Sequence, residues 1–382
     1  MTEKLFYANQ YLQQFTAVVT GCEKYGDGYA VTLSRTAFFP EGGGQPGDRG
    51  IIGSAPVIDT VENSGEILHV CSEKVEVGAE VFCSIDWPRR FLHMQQHTGE
   101  HIFSGILNGI TGYDNVGFHM GEDCVTVDFN GPVTREELER AERLANEKIW
   151  QNVPVECFFP DEKELSEISY RFKKEIEGDI RIVRIPGADI CACCGTHLRL
   201  TGEVGMVKAV SMQNYKSGVR ITLKIGLRAL EDYSMINSAV HSAGALLKAP
   251  PAEVPNAVSK LQDINFQQKN QITALRRRIN SLICESVPEG TVKYCAFLED
   301  ADGSEVRTLC DSLCEKVSIA AVFSTGEGGS KYCIGSRTVD VRELGRKLNE
   351  ALNGRGGGQP AMVQGSVDAA RRDIERVWHE II

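Results

Sequence analysis

The chain has 382 residues, of which 42% are hydrophobic and 24% charged, so it is long enough for more than one hydrophobic core and too apolar for a disordered tail. Lys and Arg number 41 against 52 Asp and Glu, a formal charge of −11, which excludes an indiscriminately basic surface: a polyanion partner must meet local patches of positive charge. No run reaches the roughly 18 apolar residues of a membrane span, the start MTEKLFYANQ lacks the pattern of a signal peptide, and the 13 cysteines are odd in number. A cytoplasmic protein with reduced thiols is the expectation.

Residues 1–87 consist of short alternating apolar segments separated by Gly, Pro and Asn, and predict a small β-barrel. Inside it, Phe38 to Asp48 carries the glycine-rich turn Gly42-Gly43-Gly44-Gln45, without the ending of a phosphate loop. After Pro88 the period changes. Phe91, Leu92, Ile102, Phe103, Ile106, Leu107 and Ile110 define a helix closed near Gly109 or Gly112, and it carries His93, His97 and His101. Val125–Phe129 alternates as a strand, and Thr134 to Glu137 is a capping box opening a helix to about Gln151. Interleaved strands and helices continue to about residue 228. The prediction is an α+β core over 88–240 that holds the chemistry, after the 1–87 barrel.

A helical linker is expected over 241–288. Its heptad-spaced positions Val254, Val258, Leu261, Ile272, Leu275, Ile279 and Leu282 are apolar, with Asn265 and Gln268 between them, which fits either packing on its own chain or the seam of a dimer or hairpin. Over 241–284, six basic residues face two acids. Residues 289–382 read as a small α/β domain with strands near 292–297 and 319–323, a helix over 341–352, a second glycine-rich turn over 354–360, and a final helix from Asp368 to Ile382.

His97 and His101 are one helical turn apart on the same face and can close on one metal ion. Roughly ninety residues later comes Cys193-Cys194-Gly195-Thr196-His197. Together these offer three imidazoles and one thiolate, a set that suits tetrahedral zinc. His93 and His101 are separated by about 12 Å of helix, too far to share an ion, so His93 is left a polar or substrate-edge role. Cys193 has the better spacing to His197, while Cys194 and Cys191 are rival sulfurs. Four protein ligands favour structure or substrate docking, and an open position favours a hydrolytic water. A nucleophilic cysteine ranks behind the metal.

Taken in order, Arg35 to Pro40 with Gly42 to Gln45, His97-Thr98-Gly99-Glu100-His101, and Cys193 to His197 followed by Thr201-Gly202-Glu203 resemble the alanyl-tRNA editing family, the AlaX proteins, and the editing portion of alanyl-tRNA synthetases. The resemblance covers nearly the whole chain. It implies a freestanding hydrolase that deacylates tRNA(Ala) mischarged with serine, and glycine as a second substrate. It further implies zinc on His97, His101, Cys193 and His197, and Thr36 and Gln45 beside the substrate to recognise the serine hydroxyl or orient water. Where the family motif commonly has glycine, this chain has Cys194, so both sulfurs stay open as the ligand. The tRNA is expected to meet Arg276 to Arg278 or Lys216, Arg220, Lys224 and Arg228, and the helical linker or the last domain to pair in a homodimer. A non-catalytic zinc-stabilised RNA-binding protein is the alternative, and a phosphoesterase lacks the clustered acids that two metals need.

Overall fold

The computed structural model describes residues 2–172, 179–325 and 330–381. The chain is a mixed α+β protein that divides into two compact units, Met1–Ala243 and Gly244–Ile382.

In the first unit, six strands pair edge to edge: β1 (Gln14–Tyr25), β2 (Gly28–Leu33), β3 (Gly50–Ile52), β4 (Ala55–Asn63), β5 (Glu66–Cys71) and β6 (Glu80–Ile85). Their order is β1-β2-β5-β4-β3-β6, and β6 returns to β1 with Gln14 opposite Ser84, so the sheet closes on itself and leaves no open edge. Alternation drives the closure. Phe15, Ala17 and Val19 of β1 point inward to meet Val31, Leu33, Ile52, Val57, Cys71 and Ile85, while the residues between them face solvent.

The chain then enters α1 (Trp87–Thr111), whose Asp86 side chain caps the first turn at Arg89 N, whose Pro88 fits that turn, and whose end is Gly112 at φ 74°. Met94, Ile102, Phe103 and Leu107 of α1 pack with an antiparallel sheet of order β12-β13-β8-β7, formed by β7 (Asn115–Met120), β8 (Val125–Phe129), β12 (Val207–Tyr215) and β13 (Gly218–Ile225). The helix α2 (Arg135–Trp150) begins at the Thr134–Glu137 capping box and seals the core with Leu138, Ala141 and Ala145. A smaller antiparallel sheet follows: β9 (Glu156–Phe158), β10 (Ile182–Ile185) and β11 (Asp189–Ala192).

Asp48, at the end of the glycine-rich segment, and Arg90 of α1 form an ion pair with no exposure on either side chain beyond 1%. Arg90 also donates to Ala37 O at 2.6 Å and Gln10 O at 3.1 Å, and Asp48 accepts from Phe39 N at 2.6 Å. These bonds fix α1 against the closed sheet.

The second unit begins within α3 (Leu227–Leu247) and continues with the 33-residue α4 (Val254–Ser286). Val258, Leu261, Ile272, Leu275, Ile279 and Leu282 are all at least 40% exposed, so these positions of the heptad stripe are not covered by the described residues. A five-stranded sheet follows in the order β14-β15-β16-β18-β17: β14 (Lys293–Glu299), β15 (Ile319–Thr325), β16 (Ser330–Gly335), β17 (Arg355–Gln359) and β18 (Met362–Val367). α5 (Gly303–Leu313), α6 (Arg342–Ala351) and α7 (Arg371–Ile381) accompany it. The final residue of the expected last helix, Ile382, lies outside the described residues.

The glycine run over 354–360 is not a turn. It is the edge strand β17, and the chain reverses at Pro360 and Ala361. A side chain there would collide with its partners: a Cβ on Gly356 would lie 2.4 Å from Gln364 O and 2.6 Å from Tyr332 Oη, and one on Gly358 would lie 2.3 Å from Met362 O. Among the described residues, no helix is long and apolar enough to cross a membrane.

Replacing Arg90 by Met would leave the Asp48 carboxylate buried without its partner. The expected loss is about 3–5 kcal/mol of unfolding free energy, read as a lower denaturant midpoint at neutral pH.

Candidate metal centre

α1 presents His97 and His101 one turn apart, and the loop after β11 brings Cys193 and His197 against them. The ligand atoms of these four residues all lie within 4.8 Å of one another, and every one of the four residues is buried. The ring centroids of His97 and His197 are 4.5 Å apart, and Cys193 Sγ is 3.4 Å from His97 Nε2.

Each imidazole is held by its Nδ1 from outside. Gln45 Oε1 lies 3.0 Å from His97 Nδ1, Thr98 Oγ1 lies 3.3 Å from His197 Nδ1, and Asp189 Oδ2 accepts from His101 Nδ1 at 2.9 Å. Asp189 is held in turn by Arg171, whose Nε and Nη2 each donate to it at 2.9 Å. Burial alone would raise the Asp189 carboxyl, but the His101 hydrogen bond and the charges of His101 and Arg171 keep it below the ordinary carboxylate range. The Nε2 of His101, buried and without a hydrogen-bond partner among the described residues, is left facing inward. A buried nitrogen of that kind, beside a thiol and two further imidazoles, fits a metal ion that takes nitrogen and sulfur ligands.

The sulfur loop is shaped by its backbone. Arg181 Nη1 donates to Cys193 O at 2.9 Å and to Gly195 O at 2.8 Å, and Gly195 N donates to Cys193 Sγ at 3.4 Å. A Cβ on Gly195 would stand 2.2 Å from His97 Cε1, so only glycine lets the loop come this close. Cys194 points elsewhere, toward Gly42 and Gly43, and burial pushes its thiol up to about 11. Cys191 lies with His101 and Asp189 in a second, overlapping group of ligand atoms.

Two residues of the cluster, His101 and Cys193, line a cavity of about 700 Å³ whose wall also includes Cys194, Phe118, Glu41 and Glu62. Gly43 at φ 60° and Gly44 at φ 81° make the tight turn between Gly42 and Gln45 that borders this cavity. Phe118 stacks on His97 at 5.1 Å between ring centroids.

Of the two residues expected beside the substrate, neither has exposed surface. Gln45 is behind the ligands: besides its contact with His97, its Oε1 accepts from Thr196 N at 3.1 Å and its Nε2 donates to Thr196 Oγ1 at 2.8 Å. Thr36 donates from Oγ1 to His69 Nε2 at 2.8 Å and accepts from Phe38 N at 3.1 Å. Burial pushes the His69 imidazole down to about 4, which keeps it a neutral acceptor at physiological pH. His93 is buried and takes no part in the four-residue group. Asp189, Arg171, Thr98 and Phe118 carry functions at this centre that no spacing in the sequence announced.

With this geometry in hand, comparison with known proteins gives a consistent answer. Family models match three segments: "tRNA synthetases class II (A)" over residues 3–89, "Threonyl and Alanyl tRNA synthetase second additional domain" over 180–222, and "DHHA1 domain" over 290–381. The chain is 31% identical over 397 residues to the alanyl-tRNA editing protein AlaX-L of Pyrococcus horikoshii, covering 98% of this chain and 96% of that protein. It is 29% identical over 377 residues to the alanyl-tRNA editing protein Aarsd1-A of Xenopus laevis, covering 93% and 89%. The alanine–tRNA ligase of Archaeoglobus fulgidus is 32% identical over 395 residues, and there the match spans 96% of this chain but 42% of the ligase. The chain belongs to the alanyl-tRNA editing protein family.

The arrangement separates the sulfurs by experiment. Cys193→Ser is expected to lose tightly bound metal and Cys194→Ser to retain it, as metal content after dialysis will show. Asp189→Asn should weaken metal affinity by about 10–100-fold, measured by competition with a chelator of known affinity.

Proposed function

We propose that this chain is an aminoacyl-tRNA deacylase that hydrolyses the ester of tRNA(Ala) mischarged with serine, with glycine as a second substrate, and that His97, His101, Cys193 and His197 hold zinc. The observation that carries this reading is the buried group of three imidazoles and a thiol at the wall of the 700 Å³ cavity, each imidazole tied by its outer nitrogen. The editing proteins it resembles along nearly its whole length give the reaction.

The need for such a site is chemical. An activation pocket shaped for alanine rejects an added hydroxyl poorly, and a second hydrolytic site supplies the missing discrimination. Zinc, when bound, polarises an ester carbonyl or lowers the pKa of a water. The chain does the rest. The cavity receives the acylated end of the tRNA, with His101 and Cys193 on its wall and the Gly42–Gly44 turn opposite Phe118. Gln45 and Asp189 are positioning residues that hold His97 and His101, and Thr36 braces the Phe38 backbone leading into the turn. In this reading residues 1–87 and 88–240 together build the editing site, 241–288 is the connecting helical segment, and 289–382 is an accessory domain. The exposed apolar stripe of α4 pairs with a second copy of the chain.

Deacylation of Ser-tRNA(Ala), Gly-tRNA(Ala) and Ala-tRNA(Ala), with metal content read on the same sample, tests the reading. Loss of serine and glycine with alanine retained, at about one zinc per chain, is the expected result. Loss of none of them by zinc-loaded protein would make the metal structural and put a non-catalytic RNA-binding role in its place. His101→Ala should lose both zinc and turnover; normal deacylation by metal-free His101→Ala would overturn the assignment.

A further inference from the structure

The basic residues first expected to meet RNA are largely neutralised. Arg220 is paired with Asp128 at 2.7 Å, Lys224 with Asp232 at 2.5 Å, Arg276 with Glu305 and Arg278 with Glu285 at 3.6 Å. A second group, which shares only Arg228 with that set, is neutralised in part at most. Along one stripe of α1, a turn or two before His97, stand Arg89 and His93; Arg49 is held beside them because its carbonyl accepts from Asp86 N at 2.8 Å at the start of α1, and Arg228 follows Leu227, whose N–H donates to Gln95 Oε1 of α1 at 3.4 Å.

Three nitrogens in this group are buried and have no hydrogen-bond partner among the described residues: Arg89 Nε, His93 Nδ1 and Arg228 Nε. The His93 side chain is only 6% exposed. Neither Arg49 nor Arg89 makes an ion pair among the described residues, and Arg228 shares its charge with Glu231 at 3.0 Å through Nη1, leaving Nε over. Burial, and then the charges of Arg89, Arg90, Arg49 and Arg228, press the His93 imidazole down to about 3. Burial and then Arg49 lower the Arg89 guanidinium, with Asp48, Asp86 and Asp59 giving partial relief. Of these acids, Asp48 is already spent on Arg90, and Asp86 caps α1. Gln96, on the same stripe, leaves its amide oxygen unpartnered; it is an acceptor, so the case stands on the three nitrogens and on the charges around them.

Buried guanidinium N–H groups without an acceptor, such as Arg89 Nε and Arg228 Nε, are costly on an acidic protein unless an anion completes them, and a neutral His93 presenting its Nδ1–H tautomer can add a third donor. We infer that Arg49, Arg89 and Arg228, gathered about His93, form an oxyanion site that takes a backbone phosphate of the RNA substrate. This rests on the tRNA reading above and deepens it. Arg49 is exposed and gives the site its opening, while Arg89 and Arg228 are partly covered and set its depth. Arg89 precedes His97 by eight residues, about 12 Å along the helix. At roughly 3 Å per stacked nucleotide, the phosphate held there lies a few nucleotides from the acylated end, and the contact fixes how far the strand enters the cavity.

The test is equilibrium binding of an uncharged RNA hairpin ending in CCA, measured against salt concentration, for the metal-loaded wild-type chain and for R49Q/R89Q. Wild-type affinity should fall steeply with salt. The double variant should bind about tenfold more weakly at low salt, with a log–log salt slope reduced by about 1. Its deacylation of Ser-tRNA(Ala) should show a raised KM with kcat little changed, a split that misfolding would not give. R49Q alone, at the exposed position, should move the slope in the same direction if the double variant is unstable. Equal affinity and slope in wild type and both variants overturn the site. Inorganic phosphate that raises the melting temperature of wild type but not of R49Q/R89Q, with the RNA slope unmoved, also overturns the RNA assignment and leaves a small-anion site. Salt-dependent RNA binding that the variants weaken, in a protein without deacylase activity, refutes the proposed reaction and leaves this inference standing.

Discussion

The centre depends on one side-chain amide. Gln45 belongs to the glycine-rich segment between β2 and β3 of the closed sheet, His97 to α1, and Thr196 to the loop that carries Cys193 and His197; the carboxamide of Gln45 ties its own segment to the other two. No single element holds the site. Three stretches of chain, far apart in sequence, are brought into register by a group with two donors and two acceptor lone pairs, nearly all of them used. The Asp48–Arg90 pair three residues further on does the coarser work of setting α1 against the sheet, and its full burial makes that setting strict.

This division of labour explains which parts of the molecule were legible in the sequence. His97 with His101 and Cys193 with His197 are local pairs, and the chemistry of each pair is readable from spacing because a helix turn or a tight loop fixes the geometry. The reach of one helix was enough to set His93 apart from His101. The α1 boundaries, the Thr134 box and the Val125–Phe129 strand were equally readable, since caps and alternation are short-range signals.

What was not legible depends on tertiary approach. Asp189 supports His101 across 88 residues of sequence and Arg171 supports Asp189 across a further 18, and nothing in their neighbourhood marks them as different from other charged residues. Thr36 and Gln45 stood out by motif, but a motif does not say whether a side chain faces the cavity or the protein interior, and burial places both on the inner side. A glycine run such as 354–360 suggests a turn because conformational freedom is glycine's commonest use; here it serves the opposite end, an edge strand in which a Cβ on Gly356 or Gly358 would collide with its neighbours. Basic residues were similarly ambiguous. Their sequence positions could not show that Arg220 and Lys224 are answered by Asp128 and Asp232, nor that Arg49 and Arg89 make no ion pair among the described residues.

The contact between Thr196 N and Gln45 Oε1 also settles a question of protons. A peptide N–H can only donate, so the Gln45 atom facing it must be the oxygen, and the amide cannot rotate by half a turn without setting two N–H groups against each other. Because that oxygen also faces His97 Nδ1 at 3.0 Å, the imidazole must carry its hydrogen on Nδ1. The lone pair is then on Nε2, directed at Cys193 Sγ. The tautomer of the His97 imidazole is thereby dictated by a main-chain amide one residue before His197, and a Glu at position 45, acceptor at both oxygens, would keep that tautomer while losing the N–H that now donates to Thr196 Oγ1.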